Sequence, residues 1–295
     1  MLSIRTGCRK GSEKMYRKSL KIFLTGTGVA VLLRALLKVL FVDLETGFYL
    51  GGAPLASAFA AVLILSGAGL LWFGWREQDE SAAFLKGNRW LECTAALLGA
   101  VLLADSVSGL LRVLAISPDA QLINQMPRLL QLLEHLLGAA SGGVFLCLAI
   151  VLLSGAARSG IQGMLALIPV LWQTLNMVDR FFGFRQVSTA SDQTLEVLFL
   201  VSATLFLLAH TRCVANIPLS RRACVTRGFL TALFGFPLAA GQLAAAAVLG
   251  DAGMGPPLPR LAVISAVSLY AAACSLSLVL SAPCFVSAGR GEESR

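Results

Sequence analysis

Arg34, Lys38, Asp105, Arg112, Asp179 and Arg180 lie inside stretches long and apolar enough to cross a membrane. A charge at that depth costs at least ~2.5–3.5 kcal/mol unless it is paired or watered. Two chemistries offset such a cost. The set binds or relays a solute, ion or proton, or it ties helices together through ion pairs. Asp105, Ser108, Gly109 and Arg112 follow at i, i+3, i+4 and i+7, one stripe of one helix. In PVLWQTLNMVDRFFGFR (169–185), Gln173, Asn176, Asp179 and Arg180 fall within about 120° of arc. Pro169, Trp172 and Gly183 share that arc, and Val170, Leu171, Leu175, Val178, Phe181 and Phe182 hold the other. One face suits lipid, the other protein or water. This stretch reads as the element around which the chain is organised.

Depth sharpens the pattern. At 1.5 Å per residue, Arg34, Asp105 and Asp179 each lie about 20–22 Å from the start of their span. Three charges on three helices then share one stratum, with Lys38, Arg112 and Arg180 at or beyond it. The expected contacts are Arg34 with Asp105, and Asp179 with Arg112 or Arg180.

Catalytic and metal chemistry find little to use. His135 and His210 fall near opposite membrane faces, so they cannot share a metal, and HExxH and GxSxG are absent. Ser141 has no histidine or lysine beside it, and Gly138 and Gly142 around it read as helix packing. Two intramembrane aspartates are similar to the pair of aspartyl intramembrane proteases. Their flanks are Leu-Ala-Asp105 and Met-Val-Asp179, however, not the GxGD motif of that class. Gly26-x-Gly28 and Gly67-x-Gly69 sit in apolar helices with no strand before them, which implies no dinucleotide site. Seven scattered cysteines form no CxxC pair and read as core filler. No catalytic residue, metal ligand or cofactor is expected.

The elements that must position these charges follow from composition. Of 295 residues, 57% are hydrophobic and 14% charged, against about 25% charged in soluble domains. Apolar runs of about twenty residues match ~30 Å of hydrocarbon, and no period-two pattern suggests a β-barrel. The fold class is therefore all-α, a polytopic membrane bundle of eight spans. They are placed at 22–42, 54–75, 90–116, 134–155, 164–184, 193–211, 228–250 and 261–283. Residues 1–21 form a basic cytoplasmic tail, 22–283 the transmembrane domain, and 284–295 a short cytoplasmic tail. Met15 offers a second candidate start, with residues 1–14 as an extension. The first run has no cleavage site and reads as a retained helix.

The net charge of +8 does not indicate nucleic acid, because seven basic residues precede the first apolar run. Expected inner segments hold 17 Lys and Arg and outer loops hold 4, which places both termini inside. Trp72, Trp75 and Trp90 form an interfacial belt. Ser117-Pro118 starts a short amphipathic helix, and Ser191-Asp192 caps span six. Pro169 and Pro237 predict kinks in spans five and seven.

VDLETGFY (42–49) and the segment 168–212, from IPVLWQTLNM to LLAHTR, resemble uncharacterised multi-pass integral membrane proteins of anaerobic Gram-positive bacteria. The resemblance implies a bacterial plasma membrane location and assigns no reaction or functional residue. The expected partners are the lipid bilayer and an unidentified small solute or membrane protein. A permease-like component using the polar stratum comes first. A non-catalytic sensor or accessory subunit, joined through 42–52 and the basic loop 212–227 with the charges as glue, is the alternative.

Overall fold

The computed structural model describes residues 2–41, 51–76, 88–115, 126–154, 160–183, 190–217, 220–250 and 257–280. Among them every element is a helix. In chain order these are α1 (Leu2–Leu40), α2 (Ala53–Arg76), α3 (Arg89–Ala115), α4 (Arg128–Ser154), α5 (Gly160–Leu165), α6 (Ile168–Gly183), α7 (Ala190–Val214), α8 (Ser220–Leu249) and α9 (Leu258–Leu280). Seven are long and apolar enough to cross a membrane; α5 and α6 are not among them. The basic segment expected as a separate tail continues into the first span as one helix, α1. Residues 42–50, the segment 116–125 with its expected short helix, and residues 281–295 lie outside the described residues.

The fifth expected span is where the fold departs from eight continuous helices. It is broken into α5 and α6 by a turn at Ala166–Leu167. Pro169 cannot donate a backbone hydrogen bond, so the ladder fails at this point. Tight i→i−3 bonds take over, from Leu167 to Met164 (3.1 Å) and from Val170 to Leu167 (3.0 Å). The carbonyl of Ala166 accepts the Thr211 hydroxyl of α7 at 2.7 Å. What remains, α6, has 16 residues, about 24 Å of rise against ~30 Å of hydrocarbon. Pro237, by contrast, sits within an unbroken α8.

Packing puts α8 at the centre, against α1, α2, α7 and α9. The hairpin of α3 and α4 joins through α9, and α6 bridges α4 to α7. The described part of the stretch 169–185, in α6, is therefore a strut at the side of the bundle, and α8 is the bundle's hub. Small residues permit the close approaches, as expected where lipid supplies no hydrophobic drive between helices. A Cβ at Gly228 of α8 would come within 2.9 Å of the Ala271 carbonyl of α9. One at Gly99 of α3 would come within 2.8 Å of the Gly142 carbonyl of α4. Cys213, Cys224 and Cys274 are buried at the α7–α8–α9 contact, whereas Cys93 and Cys147 are exposed.

Candidate functional site

Asp192 and Glu196 stand one turn apart on α7, hence on one helix face. Each accepts cations from other helices. Asp192 is ion-paired with both Arg34 and Lys38, themselves one turn apart on α1. Arg34 is 1% exposed, the most enclosed charged side chain described. Its guanidinium also lies 5.3 Å from the Phe59 ring of α2, a cation–π contact. The arginine passes over Gly241 of α8, where a Cβ would come within 2.8 Å of its Cγ.

Glu196 organises the second group. Arg260, in the first turn of α9, donates from Nε to Glu196 at 3.0 Å and from Nη1 to Asn176 Oδ1 at 3.0 Å. Arg180 of α6 lies 3.5 Å from the same carboxylate. Asn176 in turn donates to Gln173 Oε1 at 3.2 Å. A chain of polar contacts thus joins α6, α7 and α9. Gln173 Nε2 and Arg180 Nε are buried without a hydrogen-bond partner.

The expected Arg34–Asp105 contact does not form. Arg34 belongs to α1, which packs on α2 and α8, while α3 packs on α4 and α9. Asp179 pairs with neither Arg112 nor Arg180, because Arg180 turns to Glu196. The Asp105 stripe is held within its own helix: Arg112, exposed, donates to Ser108 Oγ at 3.3 Å, and Ser108 donates to the Asp105 carbonyl at 2.9 Å.

Asp105 and Asp179 instead lie within electrostatic reach of Glu134 on α4, as do Arg180 and Arg260. Glu134 is 9% exposed. Among the described residues these three carboxylates make no ion pair. Beside Glu134, the His135 ring packs onto Gly109 of α3, where any Cβ would collide with it. Asp105 and Asp179 share no hydrogen bond, and their helices are joined through α4, which packs on both. No group of His, Cys, Asp and Glu among the described residues could hold a metal.

The layer is thus two kinds of site side by side. Paired charges link α1 to α7 and α6 to α7 and α9; the unpaired carboxylates lie on α3, α4 and α6. Sequence reasoning identified Arg34, Lys38, Asp105, Ser108, Arg112, Gln173, Asn176, Asp179 and Arg180. It passed over Glu196, Glu134 and Arg260, and read Asp192 as a cap. One signal was available: Asp192 and Glu196 recur at i, i+4 where span six enters the apolar region.

Seven long apolar helices and a buried charged layer define a multi-pass helical membrane protein. Compared with known family models, with curated proteins and with solved structures, the chain matches none.

Proposed function

We propose that the chain is a permease-like component of a bacterial cell membrane. It takes a small solute or ion at the carboxylates Asp105, Glu134 and Asp179. The observation that carries this reading is their lack of any ion pair inside a layer where neighbouring charges are paired. A carboxylate kept at this depth without a partner is costly and marks an ion or solute path. The break between α5 and α6 lies in the helix that carries Asp179, matching the discontinuous helices of transporter sites. No catalytic step or cofactor enters the proposal. With α5 and α6 together crossing as an eighth, broken span, both termini face the cytoplasm, which a reporter fused to the C-terminus tests.

The transport test uses protein reconstituted in vesicles loaded with a pH-sensitive dye, under imposed proton, sodium or potassium gradients. Solutes carrying carboxylate or amine groups are added in turn. Flux that disappears in Asp105→Asn, Glu134→Gln or Asp179→Asn, while the variant still elutes as folded protein, supports the reading. Folded wild-type protein that moves none of these species overturns it.

A second reading rests on a different observation. Asp192 and Glu196 are each held by two cations from neighbouring helices, which suits charges that only fix packing. A sensor or accessory subunit built on such pairs would co-purify with a membrane partner after crosslinking.

A further inference from the structure

Where α3, α4 and α6 meet, acceptors without donors stand beside donors without acceptors. Glu134, 9% exposed, makes no ion pair or side-chain hydrogen bond among the described residues, and neither do Asp105 and Asp179. Within electrostatic reach of Glu134, yet beyond ion-pair distance, is Arg180. Its guanidinium makes no hydrogen bond among the described residues. Its ion-pair partner there is Glu196, 3.5 Å from Nε, and that oxygen already accepts from Arg260 at 3.0 Å. Trp172 is a second donor in the same condition. It is 5% exposed, and its indole Nε1 lies 3.0 Å from where a Gly138 Cβ would stand, with no acceptor among the described residues. Gly138 is one turn from Glu134 on the same face of α4.

These groups lie close to one end of the bundle. Arg180 is three residues from the end of α6 and Glu134 six from the start of α4, roughly 5 and 9 Å of rise. Asp105, Asp179 and Arg180 are partly exposed, so the charges reach the surface there. Their balance selects a ligand. With the acids ionised, three carboxylates outnumber Arg180 and Arg112 by one, while Arg260 and Glu196 cancel. A simple cation would leave the guanidinium and the indole without an acceptor, and a simple anion would meet three carboxylates. A ligand of net charge +1 that also carries a carboxylate answers both poles.

We propose that this site binds a basic α-amino acid. Its carboxylate accepts from Arg180 and from the Trp172 indole, and its two cationic groups are taken by Glu134, Asp105 and Asp179. The proposal rests on the carboxylate site of the permease reading and names the class of solute that site takes.

The test is titration calorimetry on the full chain in phosphatidylcholine nanodiscs with four probes. L-Lysine carries all three charges, cadaverine lacks the carboxylate, 6-aminohexanoate lacks the α-amine and L-norleucine lacks the side-chain amine. Lysine is expected to bind about tenfold tighter than each of the others, since each lacks one charge-assisted contact. Arg180→Met erases the preference for lysine over cadaverine and retains cadaverine binding. Glu134→Gln weakens both about tenfold. Trp172→Phe keeps the ring, removes the donor and lowers lysine affinity about threefold with cadaverine unchanged. Should Arg180→Met fail to fold, Trp172→Phe decides the carboxylate end alone. Cadaverine or norleucine binding as tightly as lysine in the wild type overturns the proposal, and so does the absence of binding by all four. Lysine binding without flux in vesicles leaves the proposal standing and removes the permease reading. Flux of another species that Asp105→Asn abolishes, with no lysine binding, keeps that reading and overturns this proposal.

Discussion

Arg34 of α1 reaches Asp192 of α7 by crossing α8 directly over Gly241, where no side chain stands in its way. The glycine is thus part of the ion pair, although it carries no charge. In Gly241→Ala the new methyl would stand 2.8 Å from Arg34 Cγ and 3.4 Å from Lys38 Cγ. The Arg34 stem must move, while the Lys38 stem is met at contact distance. Overpacking of this kind costs about 1–3 kcal/mol. Thermal unfolding in nanodiscs should show that loss, and a double-mutant cycle with Asp192→Asn should show coupling between the two sites.

Asp192 itself should matter more. Asp192→Asn removes the carboxylate that Arg34 and Lys38 share while both remain in a buried site. Removing one partner of a buried ion pair costs about 3–5 kcal/mol. Replacing Lys38 by Met in the same chain lowers the number of buried cations and should recover part of that loss. Denaturant titration of the single and double variants checks the order of stabilities.

Arg260 is predicted to fix α6 against α7 and α9, since its guanidinium donates to both Glu196 and Asn176. Arg260→Met breaks both contacts and leaves Glu196 with Arg180 at 3.5 Å. Hydrogen exchange should rise in α6, which packs along α4 and α7 and meets α9 through Arg260. It should stay unchanged in the α8 hub. Uniform exchange throughout the bundle would show that Arg260 supports the whole fold and not this strut.

Much of this architecture is legible in the residues. Apolar runs near twenty residues long mark the long helices, and counting along them puts Arg34 and Asp179 in one charged layer. The partners are not legible, because neighbourhood between helices is a tertiary property. Arg34 and Asp105 share a depth, but α1 and α3 pack against different helices. Asp192 has the sequence context of a cap, so its role as a buried acceptor depends on the approach of α1. Arg260, after Pro257 and Pro259, has the context of a loop, yet it lies in the first turn of α9. The break at Ala166–Leu167 was foreshadowed by Pro169, whereas Pro237 lies in a helix that continues through it. A proline shows where a ladder is weakened, and the surrounding contacts decide whether it breaks.

Among the contacts that hold the break between α5 and α6 is one hydroxyl. Thr211 lies within donor distance of two carbonyls, Leu207 in its own helix at 2.9 Å and Ala166 across the break at 2.7 Å. Thr211→Val keeps the shape of the side chain and removes the donor, leaving the buried Ala166 carbonyl short of a partner. Interhelical hydrogen bonds in membranes are worth about 0.6 kcal/mol on average and up to ~1.7. The expected loss of stability is therefore modest and local. Hydrogen exchange should accelerate across residues 160–170 by roughly three- to twentyfold, with α3 and α8 unaffected. Thr211→Ser restores the donor and should return exchange to the wild-type rate. If Val and Ser behave alike, the hydroxyl is not what holds the break.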